Sequence, residues 1–324
     1  MLSVFVPEPQ GLQRRELKAT DPLPQDAVWL DLLGPTLDEE RHVEQFVGID
    51  VPTREEMREI ESSARFYEEN SVLYMTATVL TKLDTDLPEN TQITFILAGN
   101  RLVTNRYVDP LPFRRFMSYA EKHLAQCSSG QAILAGLLEA IVDRIADVLE
   151  RAGANLDTVS TEVFARPKRR RQPAHDFRGV LEQIGRNGDL ISKARETLVS
   201  LGRLLVFAQQ ASNDHLSQDV RGRFRTLSRD VTQMSDHASF LGNKVSFILD
   251  ATLGMVSIDQ NNILKIFSVV TVFLLPPSVI GAIYGMNFEH IPWLHEPWGF
   301  WYALGAMLLS AIVPWAIFKW RGWL

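Results

Sequence analysis

The chain has 324 residues and a formal net charge of -6, with 22% charged and 46% hydrophobic residues. This composition excludes a wholly disordered chain, and the acidic balance argues against a protein that mainly grips nucleic-acid phosphates. The single cysteine, Cys127, excludes an intrachain disulfide and a cysteine-rich zinc site. No Gly-rich phosphate loop, HExxH motif or nucleophile elbow is present, so the sequence does not favour an enzyme.

Residues 1–125 combine strand and helix signals, which predicts a mixed α/β domain. The strand signals lie at 27–33, at 71–80 and in a hairpin over 91–108 that turns at Gly99–Asn100. Two helices are expected at 36–47 and 53–61, with Thr36 and Thr53 as N-caps. Nine acidic residues between Asp38 and Glu61 favour a solvated face, with a surface that gathers divalent cations as the alternative.

Residues 126–262 lack strand signals and are predicted to be helical. Amphipathic helices are expected at 132–164 and 176–210, separated by the basic run 166–173. We interpret that run as an exposed turn, with binding to anionic lipid as the alternative. A third helix, expected over 218–286, carries an apolar seam at 4–3 spacing. The seam comprises Leu227, Val231, Met234, Ala238, Leu241, Val245, Ile248, Thr252 and Met255.

Residues 263–324 are predicted to form a membrane domain. The stretches 266–286 and 298–318 contain no charged residue, and each would be about 31 Å long as a helix, which matches a hydrocarbon core of roughly 30 Å. Lysine and arginine flank the two stretches but are absent from the loop 287–297. The positive-inside rule therefore places the large N-terminal part and the C-terminus 319–324 in the cytoplasm.

A second stripe follows the third helix, two positions out of phase with the seam and hence on the opposite side. This polar stripe comprises Asp250, Gly254, Ser257, Asn261, Leu264, Ser268, Thr271, Leu275, Ser278, Ala282 and Gly285. Close packing of helices through small residues is one interpretation. The other is the wall of a water-filled path, constricted at Leu264 and Leu275. Two spans cannot enclose such a path, so it would require several copies of the chain.

The residues Gly285-Met286-Asn287, followed by Phe-Glu, a short loop, a second apolar stretch and a basic C-terminus, resemble the CorA family of magnesium channels. The resemblance implies a homopentamer in the bacterial inner membrane, with Gly285, Met286 and Asn287 as the selectivity filter. It implies polar rings at Asp250 and Asn261. The pore lining implied by the stripe and the resemblance together is Asp250, Ser257, Asn261, Leu264, Phe267, Ser268, Thr271, Leu275, Ser278 and Ala282.

The resemblance further implies an α+β cytoplasmic domain, then a very long stalk helix continuous with the first of two C-terminal transmembrane helices. It implies Mg2+ as the transported and regulatory ion, with no organic cofactor. Glu289 and Glu296 would concentrate hydrated divalent cations at the outer mouth. Gating by intracellular magnesium would use Glu56. Thr226 occupies the partner position and is a weak cation ligand, so Asp230, one turn later, is the expected substitute.

Two other functions remain open from the sequence. One is a zinc transporter of the same superfamily. His290 and His295 could favour softer ions and so support it. Such relatives usually lack a methionine at the position of Met286, which argues against it. A membrane-anchored sensor without conduction is the other. Cobalt and nickel are expected as further permeant ions, and no nucleic-acid partner is expected.

Overall fold

The computed structural model describes residues 1–9, 11–83, 85, 87–164, 177–211, 216–286, 292 and 297–321. The chain divides into two compact units, Met1–Leu249 and Asp250–Leu324. We call them the first unit and the second unit, and each is described by itself.

Within the described residues, the first unit contains one seven-stranded sheet with the order β2-β1-β3-β7-β6-β5-β4. Only β3 and β7 pair in parallel, and the other neighbours are antiparallel. The strands are β1 (Leu2–Glu8), β2 (Gly11–Leu17), β3 (Trp29–Leu33), β4 (Phe66–Glu69), β5 (Val72–Thr81), β6 (Glu89–Ala98) and β7 (Arg101–Arg106).

The predicted strands are confirmed as β3, β5 and the β6–β7 hairpin. Gly99 has a φ of 56°, in the left-handed region that such a tight turn needs. The β1–β2 hairpin and the short edge strand β4 had not been predicted. They pack into the same sheet, whose core includes Val4, Leu30 and Ile96.

The short helices are α1 (Leu37–Val47), α2 (Ser62–Arg65) and α3 (Leu111–Ala120). The α1 prediction is confirmed, and Thr36 caps α1 in a capping box with Glu39. The prediction of a helix over 53–61 is wrong, because only a 3-10 turn forms at Glu56–Arg58. Met57 is the one buried residue of that turn and Ile60 is 88% exposed, so this segment has no apolar face to stabilise a longer helix.

Three long helices follow: α4 (Gly130–Phe164), α5 (Phe177–Gln210) and α6 (Gln218–Tyr284). They confirm the predicted helices to within two residues at each end. The seam residues Leu227, Val231, Leu241 and Ile248 of α6 are buried. Glycines of α4 and α5 lie against this seam, since a Cβ at Gly153 would contact Leu241 at 3.6 Å. The basic run 166–173 lies outside the described residues.

The second unit contains the apolar part of α6 and the helix α7 (Gly299–Trp320). Both helices are long and apolar enough to cross a membrane, as the sequence predicts. The helix α6 continues through Pro276 and Pro277. A Cβ built on Gly281 would lie 3.2 Å from the Met307 side chain, so α6 and α7 contact each other at this level.

Candidate functional site

The polar stripe of α6 is solvent-exposed along its whole length in the single chain. Every member from Asp250 to Gly285 is exposed, and the two predicted constrictions, Leu264 and Leu275, are 62% and 59% exposed. Phe267, beside the first constriction, is 67% exposed. The stripe therefore remains available to line a path or to meet another molecule.

A different face of α6 meets α7. Its half-buried residues include Val269, Phe273, Ile280 and Tyr284, which recur at the three- and four-residue spacing of one helical face. At 100° per residue, this face lies about 180° from the polar stripe. In the second unit, close packing between α6 and α7 therefore does not use the stripe.

Three hydroxyl groups of the stripe have a fixed orientation. Those of Ser268, Thr271 and Ser278 each donate a hydrogen bond to the backbone carbonyl four residues earlier, at 2.6–2.8 Å. Because the hydroxyl proton is used inside the helix, the oxygen lone pairs point away from that bond. The stripe thus presents hydrogen-bond acceptors. These suit the water molecules around a cation, because such water molecules point their hydrogens away from the ion and donate hydrogen bonds outward.

Pro276 and Pro277 remove two backbone donors from α6. The carbonyls without their usual helical partners belong to Val272 and Phe273, four residues earlier. Both residues are half-buried and not on the exposed stripe. The stripe oxygens available to a ligand are consequently side-chain oxygens rather than these carbonyls.

The predicted filter begins where α6 ends. The Gly285 amide donates to Gly281 O at 3.0 Å, and the Met286 amide donates to Ile283 O at 3.3 Å. Both residues are exposed. The filter residue Asn287 and the mouth residues Glu289 and Glu296 lie outside the described residues, and so do His290 and His295.

The predicted regulatory residues lie on separate elements of the first unit. The Glu56 carboxylate accepts hydrogen bonds from the amide and hydroxyl of Thr53, at 2.8 and 2.9 Å. Asp230 is exposed on α6, and the Thr226 hydroxyl donates to Gly222 O at 3.3 Å. Among the described residues, no group of three or more His, Cys, Asp and Glu side chains is arranged to hold a metal.

The surroundings of Asp230 contain acidic residues that the sequence analysis missed. A groove between α4 and α6 is lined by Glu139, Asp143 and Asp230, among others. The pKa of Asp143 is raised by burial and then by the negative charges of Glu139, Asp147 and Asp230. The spacing of Glu139, Asp143 and Asp147 at every fourth position was the signal in the sequence, since it places them on one face of α4.

An arginine also occupies this groove. Arg223 donates to both oxygens of Glu139, at 2.8 and 2.7 Å, and so joins α6 to α4. This ion pair neutralises one carboxylate of the acidic group. Asp143 and Asp230 also line this groove, which is open to solvent.

Comparisons with known proteins agree with this architecture. A family model described as CorA-like Mg2+ transporter protein matches residues 24–320. The magnesium transport protein CorA of Pasteurella multocida is 30% identical over 325 residues, covering 100% of both chains. That of Haemophilus ducreyi is 33% identical over 301 residues, covering 92% of both. The complete structure of the CorA magnesium transporter from Methanocaldococcus jannaschii has the same fold, with a TM-score of 0.76 at 19% identity over 100% of this chain and 99% of that one.

Proposed function

The chain belongs to the CorA-like Mg2+ transporter family, and on this premise we propose that it forms an oligomeric channel through which Mg2+ enters the cell. The observation that carries the proposal is the exposed polar stripe of α6 on the side opposite α7. Two membrane helices cannot enclose a path, so several copies are needed. We propose a homopentamer with the stripe of each copy facing a common axis, in the bacterial inner membrane with both termini cytoplasmic.

The proposed path suits a hydrated divalent cation. Mg2+ releases its water slowly and prefers octahedral oxygen ligands. Acceptors at Asn261, Thr271 and Ser278 can bind the water shell without removing it, and the exposed carboxylate of Asp250 adds attraction. Leu264 and Leu275 would act as apolar constrictions, which can close a wet path by dewetting.

The outer end of the path is assigned from the family motif. Asn287 and the backbone of Gly285 would form the filter, with Met286 between them. Neutral oxygens bind the hydrated ion weakly enough to release it. Glu289 and Glu296 would raise the local concentration of cations at the mouth.

Flux into proteoliposomes that contain the purified full chain tests this function. Loss of a ring of acceptors for the ion's water should reduce Mg2+ uptake by roughly tenfold or more, since a charge-assisted hydrogen bond contributes about 1.5 kcal/mol. We expect this result for Asn287→Ala and Asn261→Ala. Asn262→Ala is the matched control, because Asn262 is an exposed neighbour outside the stripe.

The same assay separates the other functions. Wild-type chain that carries no divalent ion would support the sensor and contradict the channel. Uptake of zinc without magnesium would support the zinc transporter, and competition by cobalt and nickel reports their permeation. Equal magnesium uptake by the Asn261 and Asn262 variants would show that the stripe does not line the proposed path.

A further inference from the structure

Three cations stand at the ends of the two membrane helices. Lys265 begins the apolar part of α6, and Lys319 and Arg321 end α7; all three are exposed. We call these three residues the cationic belt. The described residues 266–286 and 297–321 contain no carboxylate. Along α6 the nearest carboxylate before Lys265 is that of Asp259, six residues or about 9 Å earlier.

The three positions lie at nearly the same depth. Gly281 and Met307 contact each other, and two consecutive helices that both cross a bilayer run antiparallel. Lys265 is 16 residues before Gly281, whereas Lys319 and Arg321 are 12 and 14 residues after Met307. At 1.5 Å per residue, the three α-carbons lie about 24, 18 and 21 Å from the contact, on the same side of the membrane.

Two tryptophan side chains of α7, Trp315 and Trp320, lie near this level. The Lys319 ammonium lies 4.8 Å from the centroid of the Trp315 ring, and Trp320 is 86% exposed. Tryptophan favours the level of the lipid headgroups, and lysine near helix ends extends its ammonium toward that level. The belt is therefore placed where lipid phosphates are found.

We propose that the cationic belt binds the phosphate of an anionic phospholipid. Three positive charges at the ends of helices whose described stretches 266–286 and 297–321 contain no carboxylate favour a headgroup with net negative charge over a zwitterionic one. Each lysine or arginine near an anionic surface contributes about fivefold in affinity. The bound lipid would hold the ends of α6 and α7 at one depth. The proposal requires the two helices to span a membrane and does not depend on conduction.

Tryptophan quenching by brominated lipid in vesicles tests the proposal. The full chain is reconstituted in phosphatidylcholine that contains brominated phosphatidylglycerol. In a second sample the phosphatidylcholine is brominated and the phosphatidylglycerol is not. We expect the wild-type chain to prefer phosphatidylglycerol by roughly a hundredfold, because three contributions of about fivefold multiply, and each single substitution to glutamine in the belt to lower the ratio by about fivefold. The triple variant K265Q/K319Q/R321Q should show no preference.

A control variant removes three exposed cations from the first unit, at Arg58, Arg115 and Lys122, and should keep the wild-type preference. Inorganic phosphate at millimolar concentration should not alter the quenching ratio. Competition by inorganic phosphate would show a site for free phosphate and overturn the assignment to lipid. An equal ratio for the wild-type chain and the triple variant would also overturn it. Selective lipid binding without Mg2+ flux would contradict the proposed channel but not the proposed lipid site.

Discussion

Arg106 is 1% exposed and is held inside the sheet of the first unit by Asp31. Its guanidinium donates to the two Asp31 oxygens at 2.9 and 2.8 Å and also bonds Asp109. Burial alone would lower the pKa of Arg106, but the hydrogen bonds and charge of Asp31, followed by those of Asp109, raise it. The Arg106 guanidinium therefore stays charged, and its burial depends on compensation by Asp31.

Asp31→Asn should consequently destabilise the first unit. The substitution leaves a buried positive charge without full compensation, which costs about 3–5 kcal/mol. Thermal unfolding of the purified full chain, followed by circular dichroism, measures the effect. Glu16→Gln is the control, because the Arg14–Glu16 pair is exposed and contributes at most about 1 kcal/mol. Equal unfolding temperatures for the two variants would show that the buried pair adds no stability.

At the scale of the element, periodicity predicted the helices well and the sheet only in part. The three long helices repeat their apolar residues over many turns, so their sequence pattern alone identifies them. The strand β2 is polar, and its place in the sheet comes from pairing with β1, such as Leu2 with Leu17. The short edge strand β4 pairs only with β5 among the described strands. Such pairings depend on tertiary context, which no local window contains.

The contact between α6 and α7 gives a prediction at this scale. Gly281→Phe should weaken the packing of the second unit by about 1–3 kcal/mol, because the ring would overlap Met307. Gly281→Ala should be tolerated, since the Met307 methyl is the end of a flexible side chain. Gly305→Phe on α7 is the control, with no atom within 4 Å of its Cβ position. Thermal unfolding in detergent measures all three variants, and equal loss for both phenylalanine variants would argue against the contact.

At the scale of the whole molecule, the polar stripe was predictable from the sequence. A helix with an apolar and a polar face shows both faces as residue patterns that repeat in its heptads. The sequence could not predict the acidic groove beside Asp230, since Asp143 and Asp230 meet only when α4 packs against α6. Nor can one chain determine how many copies surround an axis. The number of subunits follows from contacts between copies, and these involve surfaces that are exposed in the single chain.

The proposed regulation by magnesium would act on the assembled molecule, and it provides the last prediction. We propose that cytoplasmic Mg2+ closes the channel by joining carboxylates, with Glu56 and Asp230 as ligands on different elements. Burial and then the neighbouring negative charges raise the pKa of Asp143, and a cation near Asp230 would also offset those charges. In chains oriented with the first unit inside the vesicle, Mg2+ inside the vesicle represents the cytoplasmic ion. The wild-type flux should therefore fall as the Mg2+ concentration inside the vesicle rises.

In the double variant Glu56→Ala/Asp230→Ala, the flux should stay high at Mg2+ concentrations that close the wild-type channel. Glu55→Ala/Asp236→Ala is the matched control, since both residues are exposed close to the proposed ligands and should leave closure intact. An unchanged magnesium dependence in the first double variant would exclude Glu56 and Asp230 as the sensor. Asp143→Asn would then test the groove of α4 directly, because it removes the carboxylate with the raised pKa while preserving its shape.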